Sequence, residues 1–144
     1  MTRSILCVAL VLLTWPTGVA GADAPAPGPA EGARIRQVIE AQLAAFGRDD
    51  GAAAFAYASP GIQRRFGTVA RFMAMVRSGY GAVYRPREVV FRGLSAVEGI
   101  PVQEVLFVGP DGAAVMALYF MERQGDGSWR IDGVRLVPAD DRMT

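Results

Sequence analysis

The chain predicts a single α+β domain: three N-terminal helices packed on a curved four-stranded antiparallel sheet. Three observations carry this. Apolar residues recur at the 3–4 spacing of a helix face up to residue 78. From residue 87 the apolar period becomes two. Turn signals then come at strand spacing, at Glu98-Gly99, at Gly109-Pro110-Asp111-Gly112 and at Gly125-Asp126-Gly127.

The first helix is expected over residues 34–46, where Ile35, Val38, Ile39, Leu43 and Phe46 make one stripe. Gly47 can end it in the left-handed conformation. Asp49 or Asp50 then offers a cap to a short second helix over 51–58, anchored by Phe55. In SPGIQRR, Ser59 is a good N-cap and Pro60 suits the first helical position, so one or two tight helical turns follow. Ile62 and Phe66 would turn inward and leave Arg64 and Arg65 outward or sideways. Gly67 stops the turn, and Thr68 caps a third helix over 69–78 with Val69, Phe72, Met73 and Val76 as its stripe.

Strands are expected over 87–97, 101–108, 113–123 and 129–137, and their short connections imply an antiparallel meander. The third, AAVMALYFME, is apolar on both faces, whereas a strand wetted on one face would alternate. The helices can cover one sheet face. The other then needs a ligand, a tail or a second subunit, which points to a homodimer through the sheet; otherwise Ala113, Ala114 and Ala117 are simply tolerated at a surface.

Residues 1–22 read as a secretory signal peptide. Arg3 gives a positive start, Ile5 to Leu13 is unbroken apolar sequence, and Ala20-Gly21-Ala22 has the form of a cleavage site, with the cut expected after Ala22. The run is shorter than the ~20 apolar residues that span a bilayer, so no stable membrane anchor is expected after cleavage. The protein is therefore expected to be exported, periplasmic or secreted. Residues 23–32 read as a flexible Pro/Ala/Gly lead-in, 33–137 as the domain, and 138–144 as a C-terminal tail.

Composition closes several chemistries. Cys7 is the only cysteine among 144 residues and there is no histidine. A mature domain lacking both has no disulfide, no His/Cys zinc site and no His-activated nucleophile. No metal and no cofactor is expected. All fifteen basic residues are arginine. The near balance of arginine and acid after residue 22 argues against nucleic acid as a partner. The arginines are uneven, however. Seven fall in 51–97 against the single acid Glu88, while 98–144 is acidic. This asymmetry can attract an anionic ligand or align two molecules, or it can be spent in internal pairs.

The order of three helices and a long-stranded sheet resembles the cone-shaped superfamily that includes nuclear transport factor 2, ketosteroid isomerase and scytalone dehydratase. The ending GDGSWRIDGVRLVP looks like its closing strand. A likeness over nearly the whole mature chain is to a family of short exported bacterial proteins known as a domain of unknown function. It rests on Phe55, Ser59-Pro60, Phe66-Gly67, Phe72, Met75-Val76, Tyr80 and Tyr84-Arg85-Pro86. The resemblance implies the fold and no particular reaction. Superfamily members place a strand or hairpin between the second and third helices. Here only SPGIQRRFG fills that space, which implies a smaller sheet and a shallower, cystatin-like cone.

Binding candidates are Tyr57, Arg64, Arg65, Tyr80, Tyr84 and Arg85. Tyrosine hydroxyls beside a guanidinium can clamp a carboxylate or phenolate, but Tyr80 can instead pack after the helix stop and Arg85 bond free helix-end carbonyls. Catalytic candidates are Glu104, Tyr119 and Asp132, because a cofactor-free isomerase needs a carboxylate base and a hydroxyl donor. Glu104 interrupts the apolar set Val102, Leu106 and Val108; it can also face water or pair with Arg130. Three functions remain open: a non-catalytic binding module for a small molecule or protein, a cofactor-free isomerase or lyase, and assembly through the outer sheet face.

Overall fold

A computed structural model describes residues 25–139. The proposed signal peptide and most of the 138–144 tail lie outside the described residues. The elements run α1 (Pro29–Gly47), α2 (Gly51–Ala56), α3 (Pro60–Phe66), α4 (Val69–Gly79), α5 (Gly81–Tyr84), then β1 (Glu88–Val97), β2 (Ile100–Val108), β3 (Ala114–Arg123) and β4 (Trp129–Pro138). The strands form one antiparallel sheet in the order β1-β2-β3-β4.

The class is α+β with a four-stranded antiparallel meander, as the periodicity predicts, but the described residues form five helices rather than three. The SPGIQRRF segment makes a full helix because its caps are complete. Ser59 Oγ accepts from the Ile62 N–H at 3.2 Å, and Pro60 stands where no backbone donor is needed. The single turn of α5 follows α4 directly, with Tyr80 between them.

The first helix also starts earlier than expected. Pro29 sits in its first turn, so α1 begins inside the segment read as a flexible lead-in. Tertiary contact holds that turn. Trp129 Nε1–H donates to Glu31 Oε2 at 2.6 Å, tying the start of α1 to the start of β4.

The core lies between the helices and one sheet face. Ile35, Ile39 and Phe46 of α1 meet Val105 and Phe107 of β2, Tyr119 of β3 and Ile131 of β4. Phe46, Phe55 and Phe66 surround Phe72 with ring centroids 5.1–6.3 Å apart. At Gly51 a side chain would meet Met73 Cγ at 2.8 Å, so α2 can approach α4 only without one. The β1–β2 hairpin closes through Glu98 and Gly99, both at positive φ (51° and 78°), the conformation of a tight two-residue turn. Register shifts at Phe91/Leu94 and Phe120/Met121 bend the sheet at β1 and β4.

The opposite face of the sheet carries no helix among the described residues. Val102 and Met116 are nonetheless buried there, apart from the main core. The double-sided apolar character of the third strand thus has one cause under the helices, where Ala117 and Tyr119 are fully buried, and another outside. Ala114 is exposed at its end.

Candidate functional site

The free edge of β4 is where the helices leave room. Residues 57–59 run beside it as a short parallel bridge: the Ser59 N–H donates to Ile131 O at 2.8 Å and the Ile131 N–H to Tyr57 O at 2.9 Å. Ser59 is fully buried, and its Oγ donates to Asp132 Oδ1 at 2.6 Å. Arg130 Nη1 donates to Ala56 O, and Gln63 Nε2 donates to Phe55 O and Ala58 O at 3.1 Å each. These bonds pin α3 against β4 without filling the space beyond it.

That space is an open cavity of about 320 Å³ between α3, α4 and β4. Its walls are chiefly apolar, from Phe46, Ile62, Phe66, Met75, Val76 and Val134. Its polar groups are Gln42, Arg65, Tyr80 and Asp132. Two of these are already spent on the scaffold. Gln42 Nε2 donates to Ala54 O at 3.1 Å, and Tyr80 Oη donates to Val134 O at 2.9 Å. The other two are available. Among the described residues the Arg65 guanidinium has no hydrogen-bond partner, and Asp132 has one oxygen without a donor.

The binding candidates named from sequence therefore separate. Arg65 and Tyr80 line the cavity, and Arg64 is exposed beside it on α3 without lining it. Tyr57 lines a shallower groove with Arg34, Gln37 and Trp129. Tyr84 and Arg85 form a lock at the end of α1. Arg85 Nη1 donates to Phe46 O at 2.6 Å and Nη2 to Asp49 Oδ1 at 2.9 Å, while Tyr84 Oη also donates to Asp49. Asp49 accepts both from a left-handed backbone, φ 56°, which aspartate tolerates. The bonds from Tyr84 and then Arg85 hold its carboxyl below the ordinary aspartate range. Arg85 thus serves the helix-end carbonyl, and the Tyr84–Arg85 clamp is occupied by the protein itself.

The catalytic candidates do not converge. Tyr119 is fully buried under the helices, its hydroxyl has no partner among the described residues, and burial pushes its pKa up. Glu104 lies on the opposite sheet face, beside Leu118 in register. It does not pair with Arg130, which serves the carbonyls of Ala56 and Ala58 instead. Asp132 alone reaches the cavity. The carboxylate-and-tyrosine pair of a cofactor-free isomerase is not assembled from these three. Among the described residues no cluster of His, Cys, Asp or Glu is placed to hold a metal, and no helix is long and apolar enough to cross a membrane.

Sequence reasoning missed the role of Ser59 as a buried bridge to Asp132. Its signal was the Ser-Pro cap, which spoke for the helix but not for a partner 73 residues away. No curated protein and no solved structure matches the chain. Residues 29–144 match the family described as Domain of unknown function (DUF4864), and the chain belongs to that family.

Proposed function

We propose that this protein is an exported, non-catalytic binding module whose cavity takes a small organic acid with an apolar body. The observation that carries the reading is the open cavity between α3, α4 and β4, apolar inside and edged by the Arg65 guanidinium, which has no partner among the described residues. An apolar body replaces water along Phe46, Phe66, Met75 and Val134. An acidic head meets Arg65, and a hydroxyl or N–H elsewhere on the ligand can donate to the free oxygen of Asp132. The arginine excess of residues 51–97 gives that side of the domain the sign that draws an anion.

Export rests on the sequence of residues 1–22, with the domain acting in the periplasm or after secretion. The kinship with the nuclear transport factor 2-like superfamily is part of the same reading, supported by helices that precede a four-stranded meander. Thermal shift against a panel of apolar organic acids tests the function. Hits should be shared by acids of compatible size and lost in Met75→Trp, which fills the cavity. A panel without hits, or hits that survive Met75→Trp, would remove the cavity as the binding site.

A further inference from the structure

The cavity between α3, α4 and β4 has two charges of opposite sign at its rim, and they do not neutralise each other. The Asp132 carboxylate lies against the first turn of α3. A side chain at Gly61 would come 3.8 Å from its Oδ1, and Ser59 Oγ donates to the same oxygen at 2.6 Å. Arg65 stands four residues after Gly61, one helical turn of ~5.4 Å further along the same face. No salt bridge joins Arg65 to Asp132 among the described residues. A third polar group lies in the cavity wall. Gln42 is 4% exposed, and its Nε2 donates to Ala54 O at 3.1 Å. Its Oε1 is left as an acceptor without a donor among the described residues.

Given that the cavity takes an apolar acid, we propose that this acid is a free α-amino acid with an apolar side chain, bound as its zwitterion. Its carboxylate meets the Arg65 guanidinium, and its ammonium donates to the open oxygen of Asp132. Charge-assisted bonds of about 2.8 Å at each end, added to the short head of the amino acid, bridge the gap that the two side chains leave between them. An ammonium has three donors and no acceptor, so Gln42 Oε1 offers it a further partner in the same wall. The side chain passes inward over Phe46, Phe66 and Met75.

The two charges select against simpler ligands. An acid without an amine satisfies Arg65 but brings its negative charge toward the Asp132 carboxylate, which stays unpaired. An amine without a carboxylate meets the mirrored problem at Arg65. A zwitterion compensates both charges at once. Size agrees with this choice. The cavity of about 320 Å³ stands at the ~300 Å³ lower end of small-molecule pockets, which suits a single leucine or phenylalanine better than a lipid or a long peptide.

Isothermal titration calorimetry of the full chain tests this with two series: leucine, isocaproate and isoamylamine, and phenylalanine, hydrocinnamate and phenethylamine. In each series the second compound lacks the amine and the third lacks the carboxylate. At least one of the two amino acids should bind saturably at one site, and both of its analogues should bind about tenfold or more weakly. Asp132→Asn should weaken the amino acid by a similar factor and spare the amine-free acid, whereas Arg65→Gln should weaken both. Circular dichroism checks that the variants are folded; the analogue comparison in the wild type needs neither of them. An amine-free acid that binds as tightly as its amino acid, or an amino acid indifferent to Asp132→Asn, would overturn the proposal and leave the binding of apolar acids in place. If no compound binds, or if binding survives Met75→Trp, the proposal and the cavity as binding site fall together.

Discussion

Two polar clusters flank the C-terminal half of α4, and they have opposite fates. At the end of α1, Asp49, Tyr84 and Arg85 satisfy one another and the Phe46 carbonyl. At the cavity rim, Arg65 and one oxygen of Asp132 are left without partners among the described residues. Tyr80 and Tyr84, four residues apart, divide between them: Tyr80 bonds β4 inside the cavity wall, while Tyr84 belongs to the lock. The same residue types serve the fold in one place and remain available in the other. Capacity for a ligand is what internal hydrogen bonding leaves over.

Breaking the lock should cost stability, and breaking the rim should not. The largest effect is expected from Arg85→Ala, which removes one charged donor each from Phe46 O and Asp49 and should cost about 1–3 kcal/mol in urea denaturation. Ser59→Ala removes both the α3 cap and the donor to Asp132, and should cost about 1–2 kcal/mol by the same measurement. Tyr119→Phe deletes a buried hydroxyl that has no partner among the described residues, and should leave stability unchanged or raise it by about 1 kcal/mol.

Asp49→Asn sharpens the contrast through pH. The folded-state pKa of Asp49 is lowered, so its contribution is fully present above the unfolded value near 3.8 and is lost as pH falls through the lower folded value. Asparagine keeps the left-handed backbone. Melting temperatures of wild type and Asp49→Asn should therefore differ at neutral pH and converge in acid. A gap that persists below the folded pKa would show that the lock does not act through this carboxylate. The smallest effect is expected from Arg65→Ala, within about 0.5 kcal/mol of wild type, although it should weaken ligand binding.

The sequence made the sheet legible almost to the residue, because period two and Gly turns are local signals. The predicted strands differ from β1–β4 by at most one residue at any end. Helix starts were less legible. The beginning of α1 at Pro29 depends on the bond from Trp129 to Glu31, which no local pattern records. The site was half legible. The arginines of SPGIQRRF are binding candidates by sequence, but only the fold shows Arg65 at a cavity and Arg64 beside it. Asp132 was named from sequence for catalysis, and Ser59 for capping; their contact depends on the bridge between residues 57–59 and β4. Glu104 was singled out because it interrupts apolar neighbours, and it does so on the face away from the cavity.

Fluorescence titration with 1-anilinonaphthalene-8-sulfonate tests whether the space between α3, α4 and β4 receives an apolar acid. This probe has an apolar body and an anionic head. The folded protein should bind it saturably at one site, Arg65→Ala should weaken binding several-fold, and Met75→Trp should abolish it. Binding that is non-saturable, or indifferent to Met75→Trp, would show that this space does not take such a ligand.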